Sequence, residues 1–363
     1  MAGWGEGNDV AGESKAKVIP LHSNSSRASA QRRAAARDSA RRHPSLLEDP
    51  GTRASAEQMA AVVREIDERR SSVSGSQADD HTPNELAQNI AAVAEFVRKR
   101  MTGDYVVDEF GFDSHLNNAI FLPLLRVFFK SWFRVEVSGV ENLPDTGAAL
   151  VVANHAGVLP FDGLMASVAV HDEHPAHRDL RLLAADMVFD MPLLGQAARK
   201  AGHTMACTAD AHRLLAAGEL TAVFPEGYKG LGKPFRDRYK LQRFGRGGFV
   251  AAALRARAPI VPCSIVGSEE IYPMIADVKL LARLFGLPYF PVTPLFPLAG
   301  PAGLIPLPSK WHIQFGEPIS TDEYDESASD DPMVTFELTD QVRETIQQTL
   351  YQLLANRRNA YLG

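Results

Sequence analysis

The chain has 363 residues, 45% of them hydrophobic, and a formal net charge of −6. This length fits one large domain with appendages or two small domains, and the acidic balance argues against a general nucleic-acid binder. Its two cysteines lack Cys-x-x-Cys spacing, which excludes a disulfide framework, argues against a zinc ribbon and fits a reducing cytoplasm. Because no run of about 20 apolar residues is present, we expect neither an ordinary membrane-spanning helix nor a signal peptide.

The first 81 residues predict a disordered tail rich in arginine, serine and alanine. Residues 27–42 hold six arginines and one acid, so this segment is either simply solvated or attracted to anionic lipid. A short helix is expected over about 55–70, where apolar residues recur at helical spacing.

Residues 82–132 predict amphipathic, membrane-proximal helices. A helix-start signal precedes an apolar stripe that runs from Leu86 to Met101. The most apolar helix is expected over 116–132, either as a packing helix or as an interfacial helix in the headgroup layer of a membrane. Pro123 should shorten or kink it in either case.

Residues 133–325 predict an α/β domain with a partly parallel, mixed sheet flanked by helices. Short apolar or alternating runs predict the strands, and helical periodicity predicts the helices between them. The strands are expected over 133–140, 148–153, 180–184, 220–224, 260–266 and 311–315. The intervening helices are expected over 162–171, 192–201, 211–217 and 249–257.

The segment 283–308 is unusual because it holds seven prolines and almost no charge. Such a segment cannot be a regular helix, and it either packs across the core or contacts a membrane. Lys310 and Trp311, directly after it, have the basic and aromatic character of a membrane interface. Residues 326–363 predict a C-terminal amphipathic helix over about 332–354.

Two motifs carry the candidate chemistry. The stretch NHAGVLPFD, 154–162, places His155 and Asp162 seven positions apart after an apolar strand, and VFPEG, 223–227, ends another strand. A histidine whose ring is oriented by an acid is a way to build a general base. A second strand that ends nearby in Pro-Glu-Gly can supply polar groups for a substrate.

In this order, and about 70 residues apart, the two motifs resemble those of the glycerolipid acyltransferase superfamily. The resemblance covers about 135–317 and implies transfer of a fatty acyl chain from a thioester to a lipid hydroxyl. In such chemistry His155 removes the hydroxyl proton, Asp162 fixes the imidazole and stabilises the imidazolium, and backbone N–H groups hold the oxyanion. The resemblance also implies that Glu226 and Gly227 contact the acceptor, and Asn154, Phe224 and Pro225 are further substrate-binding candidates.

The chain departs from the family pattern in the first and the middle of its motif blocks. Six residues separate His155 from Asp162 where the family usually has four, so we expect a loop over 157–160 before a helix that starts near Asp162. Asp162 could also cap that helix. In the family's middle block, Cys207 or Thr208 replaces an arginine that binds an acceptor phosphate. This difference points to the monoacylglycerol/diacylglycerol acyltransferase-like branch, which handles neutral glycerolipids.

Basic residues after the second motif are candidates for phosphate binding. Lys229 keeps a positive charge near the place where the family often has arginine. The stretch 233–248 holds six basic residues and one acid. It is either a solvated loop or a binding rim for the phosphates of coenzyme A, a carrier-protein phosphopantetheine or a lipid headgroup. The residues assigned to this rim are Lys233, Arg236, Arg243 and Arg246.

A metal site is not expected, because His171, His174 and His177 lie in surroundings typical of a surface loop. The sequence thus predicts a peripheral O-acyltransferase on the cytoplasmic face of the membrane, with membrane lipids as partners and no nucleic acid. Its donor would be acyl-CoA or acyl carrier protein, with no cofactor, and its acceptor a lysophospholipid, monoacylglycerol or diacylglycerol.

Two alternatives remain open. The acceptor could be a non-glycerol lipid or a glycolipid. The chain could also be a non-catalytic lipid-binding protein with a degenerate site, in which His155 and Asp162 lie more than about 6 Å apart, beyond hydrogen-bond reach.

Overall fold

A computed structural model describes most of the chain beyond residue 96, namely 97–98, 102–103 and 105–361, apart from Pro192 and Arg246. The predicted tail over 1–81 lies outside the described residues, and so does almost all of the predicted stripe that ends at Met101. Within the described part, no helix is both long enough and apolar enough to cross a membrane.

The described residues form the strands β1 (Glu136–Ser138), β2 (Ala149–Ala153), β3 (Leu180–Ala184), β4 (Thr204–Met205), β5 (Leu220–Val223), β6 (Ile260–Val266), β7 (Ala276–Asp277), β8 (Pro291–Val292) and β9 (His312–Phe315). Seven of them build one sheet in the order β1-β9-β6-β2-β5-β3-β4. Its neighbouring strands are parallel except for β6 and β9, so the predicted mixed, partly parallel sheet is confirmed. The antiparallel pair of β7 and β8 lies outside this sheet.

The α-helices within the described residues are α1 (Ser114–Leu116), α2 (Leu122–Arg126), α3 (Phe161–Glu173), α4 (Asp186–Asp190), α5 (Leu194–Lys200), α6 (Thr208–Ala216), α7 (Tyr228–Leu231), α8 (Gly248–Ala256), α9 (Lys279–Leu284) and α10 (Pro332–Asn356). Two π-helical stretches, Asn117–Phe121 and Val127–Trp132, follow α1 and α2. Short 3-10 turns cover Val140–Asn142, Phe235–Asp237, Ser268–Glu270, Gly300–Leu304 and Glu326–Asp330.

Strand β2 lies between β5 and β6 and is buried on both faces, which explains why its sequence ALVVA is apolar throughout. Because side chains alternate along a strand, Ala149, Val151 and Ala153 join the core that contains α3. Leu150 and Val152 join the core formed with α6, α8 and α10. The sheet therefore separates two apolar cores.

Residues 114–132 form one helical run, in which π-helical stretches follow α1 and α2. Pro123 lies in the first turn of α2, where a residue without an N–H is tolerated, so it does not end the run. Leu122 and Phe129 are buried in the core, which confirms the packing-helix interpretation for these residues. Ile120, Leu124 and Val127 are exposed.

The membrane-interface alternative does not hold for Lys310 and Trp311, because both residues contact the protein. The indole of Trp311 is fully buried, stacks on Phe133 with ring centroids 4.7 Å apart, and donates its Nε1–H to Ser309 Oγ at 2.9 Å. The ammonium group of Lys310 pairs with Glu136 at 2.9 Å. The two residues therefore join the end of the apolar segment to β1 and the core.

Replacing Trp311 by alanine should lower the free energy of unfolding by about 3–5 kcal/mol, because it opens a large cavity and leaves Ser309 Oγ without its donor. Urea-induced unfolding followed by circular dichroism measures this change. Tyr351→Ala, at an exposed position of α10, should change stability by less than about 0.5 kcal/mol. Equal effects of the two substitutions would contradict the prediction.

Candidate active site

The two sequence motifs meet because β2 and β5 are neighbouring parallel strands. Val152 of β2 is in register with Val223 of β5, so the residues that follow both strands leave the sheet at the same edge. In open α/β sheets, ligand sites form beyond the carboxyl ends of the strands. The structure thus brings His155 and the segment 224–227 together, as the sequence predicts.

His155 and Asp162 form a direct contact, with 2.7 Å between Nδ1 and Oδ2. The same carboxylate oxygen accepts the N–H of Ala156 at 2.9 Å, and Oδ1 accepts the N–H of Gly163 at 2.8 Å. Asp162 is fully buried, so its orientation is fixed. If Nδ1 carries the proton that this carboxylate accepts, Nε2 is left as the ring nitrogen that can take up a proton.

The six-residue spacer forms the predicted loop. Gly157 has φ of +95° and Val158 has φ of +61°, and these left-handed conformations fold the chain back before α3 begins at Phe161. A Cβ at Gly157 would lie 2.6 Å from the carbonyl oxygen of Ser268, so the loop requires glycine there. Pro160, and not Asp162, occupies the cap position of α3, which corrects the capping expectation.

Phe224, predicted as a substrate contact, packs against the ring of His155. Its ring centroid lies 4.7 Å from that of His155, at an interplanar angle of 35°. The ring of Phe224 therefore restricts the imidazole from one side while Asp162 holds its Nδ1. Pro225 and Gly227 are half-buried next to it.

The predicted contact of Glu226 with an acceptor is corrected by the structure, because both of its oxygens bind the protein. Oε1 accepts the backbone N–H of His155 at 2.9 Å, and Oε2 accepts the backbone N–H of Gln242 at 2.6 Å. Its side chain is fully buried, and Lys233 Nζ lies 3.5 Å from Oε2. Glu226 therefore positions the backbone of His155.

Asn154 likewise faces the interior and not a substrate. Its amide Nδ2 donates to the carbonyl oxygen of Ile265 at 2.9 Å, and its Oδ1 accepts the N–H of the same residue at 2.7 Å. The side chain is buried, and both of its polar atoms bond to β6. Its predicted substrate-binding role is thus corrected to a structural link between the ends of β2 and β6.

Lys233 is also corrected, from a phosphate-binding rim residue to a buried member of an ion network. Only 1% of its side chain is exposed, and its Nζ lies 3.0 Å from Glu269 Oε1. Beyond that pair, the Tyr239 hydroxyl donates to Glu270 Oε2 at 2.5 Å, and Arg357 Nη1 binds Glu270 Oε1 at 3.0 Å.

This network holds more carboxyl groups than cations. Its acids are Glu226, Glu269 and Glu270, and its cations are Lys233 and Arg357. Burial raises the pKa of Glu269 to about 7, although the nearby Lys233 opposes the shift. A proton on Glu269 leaves two carboxylates and two cations in this buried network.

The remaining basic residues do not converge on one point. Lys229 is exposed on α7, and Arg236 is exposed with its Nε 3.5 Å from Asp237. Arg243 is exposed and lines an open cavity of about 740 Å³ together with Arg343. Arg246 lies outside the described residues.

Among the described residues, no group of three or more histidine, cysteine, aspartate or glutamate side chains could hold a metal ion. The surface-loop prediction is wrong for His174, which is buried with its Nε2 3.2 Å from the carbonyl oxygen of Leu143. His177 is exposed, and its Nδ1 lies 2.8 Å from the carbonyl oxygen of His171.

Sequence reasoning missed two residues that shape the site. A Cβ at Gly230 would lie 2.4 Å from the carbonyl oxygen of His155 and 2.8 Å from Cβ of Glu226, so α7 can pack here only through glycine. The hydroxyl of Tyr289 donates to the carbonyl oxygen of Val158 in the histidine loop. The Gly-x-x-Gly spacing of 227–230 could have indicated the role of Gly230, but no local sequence signal indicated the role of Tyr289.

The sequence is similar to several known proteins. The family model described as Acyltransferase matches residues 134–266. Uncharacterized proteins of Mycobacterium tuberculosis and Mycobacterium leprae are 77% and 73% identical over 98% and 99% of this chain, covering 99% and 100% of their own lengths. A human protein described as "DGAT1/2-independent enzyme synthesizing storage lipids" is 27% identical over 53% of this chain and 55% of its own.

A solved structure, the 1-acyl-sn-glycerophosphate (LPA) acyltransferase of Thermotoga maritima, aligns with a TM-score of 0.44 and 18% identity. That alignment covers 76% of this chain and 99% of the other.

Gly230→Ala should destabilise the protein by about 1–3 kcal/mol, because the added methyl group overlaps the backbone of His155 and the side chain of Glu226. Gly245→Ala is the matched control, since a Cβ at Gly245 meets nothing within 4 Å. Thermal unfolding of both variants measures the difference. Equal melting temperatures for the two variants would show that α7 does not pack as described.

The raised pKa of Glu269 predicts how stability depends on pH. A carboxyl group whose pKa is higher in the folded chain binds its proton more tightly there. The free energy of unfolding should therefore decrease as the pH rises from about 5 to about 8. Glu269→Gln should flatten this slope, whereas Glu317→Gln at an exposed position should keep it. Urea unfolding across this pH range tests the prediction, and an unchanged slope in Glu269→Gln would refute it.

Proposed function

The chain belongs to the glycerolipid acyltransferase superfamily and is an acyltransferase, and on this premise we propose that it is a membrane-associated O-acyltransferase. It moves a fatty acyl chain from acyl-CoA or acyl carrier protein to a glycerolipid hydroxyl. The observation that carries the proposal is the 2.7 Å contact between His155 Nδ1 and Asp162 Oδ2. This distance is far shorter than the separation of more than about 6 Å that would favour the non-catalytic alternative.

In the proposed mechanism, Nε2 of His155 takes the proton of the acceptor hydroxyl while that oxygen attacks the thioester carbonyl. Asp162 holds the ring through Nδ1 and stabilises the imidazolium. The tetrahedral intermediate collapses, the carbon–sulfur bond breaks, and the proton passes from His155 to the leaving thiolate. The products are an ester and a free thiol, and because the thioester is already activated, the reaction needs no metal or redox cofactor.

The favoured acceptor is monoacylglycerol or diacylglycerol rather than a lysophospholipid. The arginine closest to the family's middle block is Arg213, and it is already engaged: its guanidinium lies 2.9 Å from Glu109 and 3.4 Å from Asp210. It also packs over the ring of Phe110. The storage-lipid description of the human relative points the same way.

We further propose peripheral attachment at the cytoplasmic face of the membrane. A water-insoluble acceptor has to be taken from a bilayer, and both acyl-CoA and the acylated form of acyl carrier protein are thioesters of the cytoplasm. Exposed apolar side chains in the described part of the chain, among them Leu124, Leu280, Leu284 and Leu298, support such contact. Lys229, Arg236 and Arg243 remain candidates for the phosphates of the donor.

Acyl transfer from radiolabelled palmitoyl-CoA and oleoyl-CoA into monoacylglycerol, diacylglycerol, lysophosphatidate and a glycolipid tests this function. His155→Ala should lower the rate by roughly 10³-fold or more, and Asp162→Asn by a similar factor, because the base and its orienting acid act together. His177→Ala, at an exposed histidine, should leave the rate within about twofold, as expected for a surface substitution away from the site.

Transfer by wild type into monoacylglycerol or diacylglycerol but not into lysophosphatidate would support the neutral acceptor. Transfer into the glycolipid alone would replace the glycerolipid acceptor by the alternative class. A His155→Ala variant as active as wild type would refute the mechanism.

A further inference from the structure

We propose that residues 275–305, hereafter the docking segment, form the surface through which the protein binds a lipid bilayer beside the His155 loop. This inference rests on the proposed function, because it names the place where the acceptor lipid reaches the site. The segment contains the small β7–β8 pair and α9, followed by a proline-rich stretch.

The docking segment has many large apolar side chains that are exposed to solvent. Large apolar side chains are exposed in both the first and the last part of the segment: Ile275, Leu280, Leu284, Phe285, Leu295, Leu298, Leu304 and Ile305. Leu298 is 90% exposed, and Leu280 is 77% exposed. Exposed apolar surface on this scale is typical of an interaction site.

The few charges of the segment favour a bilayer with anionic lipid. Its only charged residues are Asp277, Lys279 and Arg283. The two cations are exposed on α9 among the exposed leucines, while Asp277 Oδ1 accepts the N–H of Phe290 at 2.9 Å. Cations that flank exposed leucine and phenylalanine suit a headgroup layer above acyl chains.

The segment is joined to the catalytic loop itself. The hydroxyl of Tyr289 donates to the carbonyl oxygen of Val158. Its ring packs against Gly232, directly after α7, since a Cβ at Gly232 would lie 2.8 Å from Tyr289 Cδ1. Leu159, the next residue of the loop, is exposed, so the loop continues the apolar surface. A bilayer on the docking segment therefore lies next to the loop that connects His155 to Asp162.

The other end of the segment is joined to the helical run 114–132. Trp132 Nε1 donates to the carbonyl oxygen of Pro306 at 2.9 Å, directly after the segment. That run exposes Ile120, Leu124 and Val127. The helical run and the docking segment thus both expose apolar side chains, and the hydrogen bond from Trp132 to Pro306 joins them. Two such elements fit a broad lipid surface better than a groove for one peptide.

The test measures binding of the full chain to vesicles of phosphatidylcholine, with and without phosphatidylglycerol. A triple variant, Leu280→Asp/Leu284→Asp/Phe285→Asp, should lower the partition coefficient by roughly tenfold or more, because three side chains can no longer enter the interface. The matched control, Met333→Asp/Phe336→Asp/Tyr351→Asp, changes three large residues of α10 with similar exposure and should bind like wild type. Equal binding by the triple variant and wild type, or an equal loss in the control, would overturn the proposal.

Further variants keep the test decisive. Lys279→Glu/Arg283→Glu should weaken binding to the vesicles that contain phosphatidylglycerol more than to those without it, and equal effects would contradict the charge argument. Circular dichroism and thermal unfolding check that each variant is folded.

Tyr289→Phe should bind vesicles normally but show a lower kcat, and an unchanged kcat would contradict the link to the loop.

Activity assays separate this proposal from the proposed function. Acyl transfer is measured with an acceptor in vesicles and with a short-chain acceptor below its critical micelle concentration. The ratio of the two rates should fall in the triple variant as far as vesicle binding falls. If wild type is inactive on both acceptors but binds vesicles through the segment, the proposed function fails while the docking surface stands.

Discussion

The site depends on one buried hydrogen bond, from the backbone N–H of His155 to the carboxylate of Glu226. The bond joins the residues that follow β2 to those that follow β5, and the other oxygen of Glu226 holds the chain at Gln242. Burying a carboxylate is costly unless it is paired, and Lys233 supplies the partner. The glutamate of the second motif thus acts on the backbone of the first motif, and the chemistry is left to the imidazole.

Much of the fold and the catalytic pair could be predicted from local pattern. The predicted bounds of the strands at 180–184 and 260–266 agree with the observed ones, because both segments are mostly apolar, apart from Arg181 and Ser264, and lie in a buried, mostly parallel sheet. The loop and the helix that follow His155 also agree with prediction, since Gly157 and Pro160 mark a break before α3. Helical and strand periods are local properties, and the sequence displays them directly.

The roles of the polar residues could not be predicted, because burial is decided by distant parts of the chain. Glu226 and Lys233 read as substrate contacts after a strand, but Glu269 and the backbone of Gln242 enclose them. Trp311 read as an interface residue, but Phe133 covers it from far away in sequence. The sequence gives the chemical character of a charged or aromatic side chain, but it does not say whether that side chain faces water or the interior.

The amide of Asn154 has a structural consequence that reaches beyond the site. β2 pairs with β6 only as far as Ala153 and Cys263, while β6 continues for three more residues. Where β2 departs, the N–H and carbonyl of Ile265 would be bare inside the protein, and the amide of Asn154 bonds to both. The side chain thus substitutes for one peptide unit of the departing strand. A polypeptide can in this way turn out of the middle of a sheet to build a loop without opening an unpaired edge in the interior.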